Sequence, residues 1–267
     1  MNHLRRELAP VGDAAWTAID GRAASVLRTS LAGRRLVDFS GPKGYLHAAR
    51  DLGRATPLSD PPHPGVAAML RHVMPLVELR AEFELSLEEI DQAERGAVDL
   101  DLSSLDDAAR NLAIAENIAI FHGYEAAGIA GIAASAAHAP VRYGADLAAS
   151  PRPVAKAVEV LRSAGVDGPY ALALSPEVYT GVVETAEHGG VLLLEHLRQI
   201  LGGPIVWAPG LRSALVCSLR GSDFAFECGE DVSIGYRSHD AATVRCFLEE
   251  SFTFQVAGPE AAVALAS

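Results

Sequence analysis

Leu76–Leu85 alternates strictly. Val77, Leu79, Ala81, Phe83 and Leu85 face one way, and Glu78, Arg80, Glu82 and Glu84 face the other. A period of two with one apolar side predicts a strand buried on one face. Near the N-terminus the period changes. Trp16, Ile19, Ala23, Val26, Leu27 and Leu31 recur at helical spacing, which predicts an amphipathic helix. Asp13 is its expected N-cap and Gly33 its expected stop, with Arg28, Arg34 and Arg35 at the negative end of the helix dipole. Ser86 with Glu89 predicts a capping box and a short helix ending before Gly96. Ser104 with Asp107 predicts a second, opening a long Ala-rich helix to about Ala127 with Gly128 and Gly131 beyond it. That helix is apolar on most sides, so it is expected to be buried as a spine.

The second half reads as an α/β unit over 151–219. A helix runs from Pro151 to Gly165, a strand over Pro169–Leu174, and helices from Pro176 and through Leu201. Strands follow at Ile205–Trp207, Ala214–Leu219 and Phe224–Cys228. In Thr243–Val256, the residues Val244, Cys246, Leu248, Phe252, Phe254 and Val256 share a face, and only Glu250 breaks the pattern. Between the first helix and the alternating strand, residues 41–75 show no period. Gly41, Pro42, Gly44, Gly53, Pro57, Pro61, Pro62, Pro64, Gly65 and Pro75 interrupt them. Such a stretch is either disordered or an arm that meets another subunit. The apolar anchors Tyr45, Leu46, Leu52, Val66 and Leu70 favour the arm.

Charge narrows the partners. The chain has 267 residues and a formal net charge of −12, which disfavours nucleic acid because phosphate binding needs a basic field. No apolar run is long enough to span a membrane, and the first residues lack the apolar core of a secretory signal. Three scattered cysteines, Cys217, Cys228 and Cys246, suit a reducing compartment. A cytoplasmic protein is expected.

Chemistry is harder to find. There is no HExxH, CxxC, GxSxG, GxGxxG or phosphate-binding loop. The nine histidines have poor spacing for metal, and His188 and His196 do not form a fixed pair. Asp99, Asp101, Asp106 and Asp107 cluster at a helix start, where the dipole explains them. No catalytic residue, metal or cofactor is expected.

Five blocks, taken together, carry a resemblance: LAPVGDAAWTAID (Leu8–Asp20), LAGRRLVDFSGPKG (Leu31–Gly44), PLVELRAEFELSLEEIDQAERG (Pro75–Gly96), AGVDGPYALAL (Ala164–Leu174) and EDVSIGYRSHD…FLEESFTFQV (Glu230–Val256). In kind, order and spacing the chain resembles the encapsulin shell proteins, the linocin or bacteriocin-like family. The resemblance implies an α+β, HK97-like phage capsid fold. It implies an N-terminal helix and arm over 1–40, an extended loop over 41–76, a peripheral domain from 77–134 and 224–267, and an axial domain over 135–223. It also implies a homo-oligomeric icosahedral shell, on the order of 60 copies, that encloses a cargo enzyme such as a dye-decolorising peroxidase or a ferritin-like protein.

The same resemblance implies two sites. Cargo would dock by a C-terminal peptide against Leu27, Leu31, Arg34, Asp38, Phe39, Asp231, Val232 and Ile234. A five-fold pore would be lined by Glu184, Glu187, His188, Gly189 and Gly190. Some relatives stack a flavin on an aromatic residue after the alternating strand. The matching position here is Glu88, so no flavin is expected. A phage or prophage major capsid protein is the alternative, disfavoured by the acidic charge. An enzyme, as older family names suggest, has no nucleophile or metal motif behind it.

Overall fold

In a computed structural model, residues 2–144, 150–185 and 192–266 are described. Helix α1 (Asp13–Ser30) buries Ala15, Trp16, Ile19, Ala23 and Leu27, the stripe its spacing predicts. Its ends differ from expectation. Asp13 is the first helical residue and Gly12 the N-cap, so the orphan N–H groups are met from elsewhere: the Glu94 carboxylate accepts from the Ala15 amide at 2.9 Å. At the other end Leu31 is the C-cap, and Gly33 lies one turn further on, in a 3-10 turn (Gly33–Arg35). Gly33 serves close approach rather than capping. A Cβ there would overlap the side chain of Ile120.

The chain continues through β1 (Asp38–Ser40) into a hairpin, β2 (Ala49–Leu58) and β3 (Ala68–Pro75), then β4 (Val77–Ser86), α2 (Leu87–Glu94) and α3 (Ser103–Phe121). The irregular stretch is therefore a regular antiparallel arm, with a bulge between Asp51 and Arg54 at Gly53, whose φ is +62°. Among the described residues its strands pair only with each other, so each has an open edge there, where Pro57 and Pro75 cost no ladder hydrogen bond to a further strand.

The first capping box is half made, and the second, expected at Ser104 and Asp107, does not form, since the N-cap of α3 is Leu102 without a side-chain cap. Ser86 accepts from the Glu88 amide, while Glu89 reaches the Asp101 amide instead. Ser104 accepts from the Glu84 amide, and Asp101 meets the Ser103 amide and hydroxyl near the start of α3. Helix α3 stops at Phe121, short of Ala127. The chain turns at Gly123 into β5 (Gly123–Tyr124) and β6 (Ile129–Ala130).

After α4 (Ile132–Ser135) and β7 (Val141–Arg142) come α5 (Pro151–Ser163), β8 (Tyr170–Leu174), α6 (Pro176–Glu184), α7 (Leu193–Leu201), β9 (Ile205–Trp207) and β10 (Ala214–Ser218). The last strands are β11 (Phe224–Cys228), β12 (Ser233–His239), β13 (Thr243–Val256) and β14 (Ala262–Ala266). One five-stranded sheet runs β1-β11-β13-β12, with β4 along β13 over ten residue pairs from Val77 to Ser86. The second runs β7-β14-β10-β8-β9 and buries every residue of β8 and β10. Expected within the 224–267 part of the peripheral domain, Ala262–Ala266 instead pairs with β10 in the second sheet.

Two cores result. One packs α1, α2 and the first half of α3 on Phe83, Leu85, Val244, Cys246 and Leu248; the other holds the end of α3 against the second sheet and Phe224, Phe226, Phe252 and Phe254. Helix α3 is thus a spine through both, as its composition suggests. All three cysteines are buried, and burial pushes each thiol up to about 12. They are packing residues, not thiolates.

Candidate functional site: a groove beside the first helix

Helical positions 20, 24, 27 and 31 of the N-terminal segment share one side, and along it a groove of about 400 Å³ opens. Ala23, Leu27 and Leu31 form one wall; Val232 and Ile234, with Leu248 behind them, form the other, and Leu4 and Arg6 arch over from the N-terminal turn. The turn is held there by the Leu4 carbonyl, which accepts from the Tyr236 amide at 2.8 Å. Charged pairs mark both ends. Arg6 binds Asp20 through two bonds of 2.8 and 3.1 Å and stacks over Trp16, 3.9 Å from the ring centroid. At the far end Arg34 donates to Asp231 at 2.6 Å.

Arg34 is fixed from beneath. Its guanidinium also donates to Glu116 at 2.7 Å and to Glu250 at 2.7 Å, both carboxyls fully buried. Burial opposes the charge on Arg34, but the facing carboxylates of Glu116 and Glu250 raise its pKa further. Burial raises Glu116, with Arg34 acting against it. Burial and then the Glu116 charge raise Glu250 well above the ordinary glutamate range. One oxygen of each has no hydrogen-bond partner among the described residues, and a proton on Glu250, the more strongly raised acid, would let the two share a hydrogen bond. Beside them Asn117 closes the corner: it accepts from the Gly33 amide at 2.9 Å and donates to the carbonyls of Ser30 and Pro209 at 2.8 and 2.9 Å. The spine thus grips the connector that carries Arg34.

Six of the residues expected for the peptide site, Leu27, Leu31, Arg34, Asp231, Val232 and Ile234, line this groove together. Asp38 and Phe39 do not. Asp38 accepts from the Ser222 amide at 2.6 Å, and Phe39 stacks on Phe226 at 5.5 Å, on the strand β1 that leads away. Leu4, Arg6, Asp20, Ala23 and Ala24 line the groove without having been expected. The helical period extended back from Leu27 would have found the last three, whereas nothing local marks Leu4 or Arg6. Of the expected pore residues, Glu184 is the exposed last residue of α6. Glu187, His188, Gly189 and Gly190 lie outside the described residues. Asp106, read above as a dipole partner, is instead the buried acceptor of Arg22 from α1 at 2.6 Å, and that bond, against burial, lowers its pKa.

Solved structures similar to this one include capsid particles. A virus-like particle from Pyrococcus furiosus superposes with a TM-score of 0.66 over 94% of this chain and 98% of that one, at 14% identity. The capsid of an empty GTA particle gives 0.57 over 90% and 91%, at 15% identity. The fold is accordingly the HK97-like phage capsid fold. A family model described as an encapsulating protein for peroxidase matches residues 1–253. Type 1 encapsulin shell proteins are 47% identical in Mycolicibacterium paratuberculosis, over the whole of both chains, and 45% identical in Rhodospirillum rubrum, over 99% of this chain and 96% of that one. The chain belongs to the family of type 1 encapsulin shell proteins.

Proposed function

We propose that the chain is the subunit of a closed icosahedral compartment of on the order of 60 copies, and that the groove holds a peptide from an enclosed enzyme. The groove itself carries this reading. An apolar channel lined by Leu27, Leu31, Val232 and Ile234, with ion pairs at both ends, suits a short apolar tail whose polar flanks are oriented by Arg34 and Asp231. Burying two or three Leu or Ile side chains contributes roughly 3–9 kcal/mol, reduced by the cost of ordering the tail. The family description names a peroxidase, which favours a dye-decolorising peroxidase as cargo over a ferritin-like protein.

Enclosure is the function in this reading, and the chemistry belongs to the cargo. Residues 41–76 form the arm between subunits, 1–40 the helix and its lead-out, 77–134 with the strands from Phe224 to Val256 the peripheral domain, and 135–223 with the last strand, Ala262–Ala266, the axial domain. Glu184, Glu187, His188, Gly189 and Gly190 would rim a pore at the five-fold axis. A phage head protein shares the fold, but relatives at 41–47% identity are named as encapsulin shells, which favours the compartment.

Purification from the native host, followed by electron microscopy and mass analysis, tests this. Hollow particles with a co-purified enzyme are expected; a small oligomer overturns the shell reading. Leu31→Asp should leave particles intact and empty them of cargo. Equal loading in that variant overturns the groove assignment.

A further inference from the structure

A second constellation lies beyond the groove, where the N-terminus meets the first sheet. His3 Nε2, Glu230 Oε2 and Glu249 Oε1 all lie within 4.8 Å of one another. Nε2 is 2.7 Å from the Glu230 oxygen and 3.6 Å from the Glu249 oxygen. All three atoms are shut off from solvent, yet none has a properly directed hydrogen bond within the described residues. Glu249 itself is 1% exposed. Buried polar atoms without hydrogen bonds are rare and costly, and beyond the His3–Glu230 ion pair the three lie close enough together to share one cation.

The surroundings fix the donors. Arg80 holds the other Glu249 oxygen, its Nε at 2.7 Å, and so turns Oε1 inward. The Tyr45 ring stacks on the His3 imidazole with centroids 3.8 Å apart and 11° between planes, which sets the ring's direction. Such outer contacts are what orient metal ligands. The local field is negative. Partial burial and then the Glu249 carboxylate push Glu78 above its usual value. Ligand atoms around a tetrahedral zinc at roughly 2.0–2.2 Å stand about 3.3–3.6 Å apart. The His3–Glu249 separation of 3.6 Å meets that figure, and the His3–Glu230 contact of 2.7 Å would have to open to admit an ion.

We propose that His3, Glu230 and Glu249 bind a divalent transition-metal ion, with zinc the best match to one imidazole and two carboxylates. A fourth position remains for water. The ion clamps three separate parts of the chain: the N-terminal segment, the turn before β12, and β13. Because Leu4 and Arg6 follow His3 and line the groove, occupancy would firm one groove wall, and through Tyr45 it would also steady the start of the arm. Only that consequence rests on the groove reading; the site itself does not.

Full-length particles with a native N-terminus, stripped with chelator, are titrated with zinc by calorimetry and with cobalt by visible absorption. One ion per subunit is expected, with a cobalt band showing nitrogen and oxygen ligands. His3→Ala and, independently, Glu230→Gln should lower zinc affinity by about 10-fold or more and abolish the band, with particles intact by microscopy. No stoichiometric zinc in the wild type overturns the proposal and leaves His3 as an ion-pair partner. Binding unchanged in both variants means an adventitious ion only, and overturns it too. Failure of the shell reading would show as missing particles, whatever the zinc result.

Discussion

Arg34 answers three carboxyl groups, and two of them are fully buried. Its charge is what makes their burial tolerable, since an ionised carboxylate without a partner is strongly disfavoured in a protein interior. The two buried acids are not equivalent. Burial and then the Glu116 charge raise Glu250 well above the ordinary range, while Arg34 works against burial at Glu116, so Glu250 is the expected holder of a shared proton. Arg34→Met should therefore destabilise the subunit by about 3–5 kcal/mol, the usual cost of stranding one side of a buried pair. Glu250→Gln keeps a neutral donor facing Glu116 and should cost no more than about 1 kcal/mol. Urea unfolding followed by tryptophan fluorescence measures both. Equal losses in the two variants would show that Glu250 is ionised in the native state. The same residue explains the one break in the apolar face of Thr243–Val256: the sequence exposes the break, but its meaning lies 216 positions away at Arg34.

At the scale of elements, one buried acid gathers the charges at the root of the arm, beside the backbone bonds from the Lys43 and Gly44 amides to the Cys228 and Gly229 carbonyls. Glu227 on β11 is buried and receives His47 at 2.7 Å, Lys43 at 3.0 Å and Arg50 at 3.5 Å from the lead into the hairpin and its first strand. Burial acts to raise Glu227, but the His47 and Lys43 contacts outweigh it and leave it below the usual 4.5. A carboxylate lowered on folding stabilises above its unfolded value, and that contribution is lost as pH falls through the folded one. Protection factors at the hairpin root, taken against the intrinsic amide exchange rate at each pH, should thus be high at neutral pH and fall below about pH 4.5. Glu227→Gln should be poorly protected already at neutral pH, with protection nearly independent of pH; a wild-type root with equal protection factors at pH 7 and pH 3.5 would contradict this. Elements of this kind differ in how far the chain reveals them. Val77–Ser86 and Thr243–Val256 are legible because each has one buried face and so a period. The hairpin is hidden because neither strand has a buried face. Its exposed positions carry no alternation, and Gly53 and Pro57 read as breaks. Ala262–Ala266 is too short and too uniformly apolar to announce a period. The apolar side of α1 was readable from helical spacing, and the resemblance alone marked Leu27 and Leu31 as a groove wall, whereas Leu4, Arg6 and the His3 cluster depend on contacts between opposite ends of the chain.

For the whole molecule, the question is why so much apolar surface is left outside. Leu58, Val66, Met69, Leu70 and Val73 are each about half exposed, and all lie on or between the two strands of the arm. A lone two-stranded hairpin is marginal in water, and a contiguous exposed apolar patch marks an interface. In a closed shell every copy both offers its arm and receives a neighbour's, so the contact is head-to-tail and closes around the symmetry axes. The arithmetic of a repeated contact is severe. Losing one buried Leu at each copy removes roughly 1.5–3 kcal/mol, and a charge placed there adds the cost of desolvation. Each 1.4 kcal/mol is about tenfold in the subunit concentration at which particles form. Leu70→Asp with Val66→Asp should therefore raise that concentration by about 100-fold or more while leaving both sheets folded, because neither residue belongs to either core. Mass photometry across a dilution series reads the first quantity, and far-UV circular dichroism of the dissociated subunit reads the second. Particles that persist at the wild-type dilution limit would mean that the arm does not carry the contact between copies, and the shell would then have to close through the surfaces of the two sheets alone.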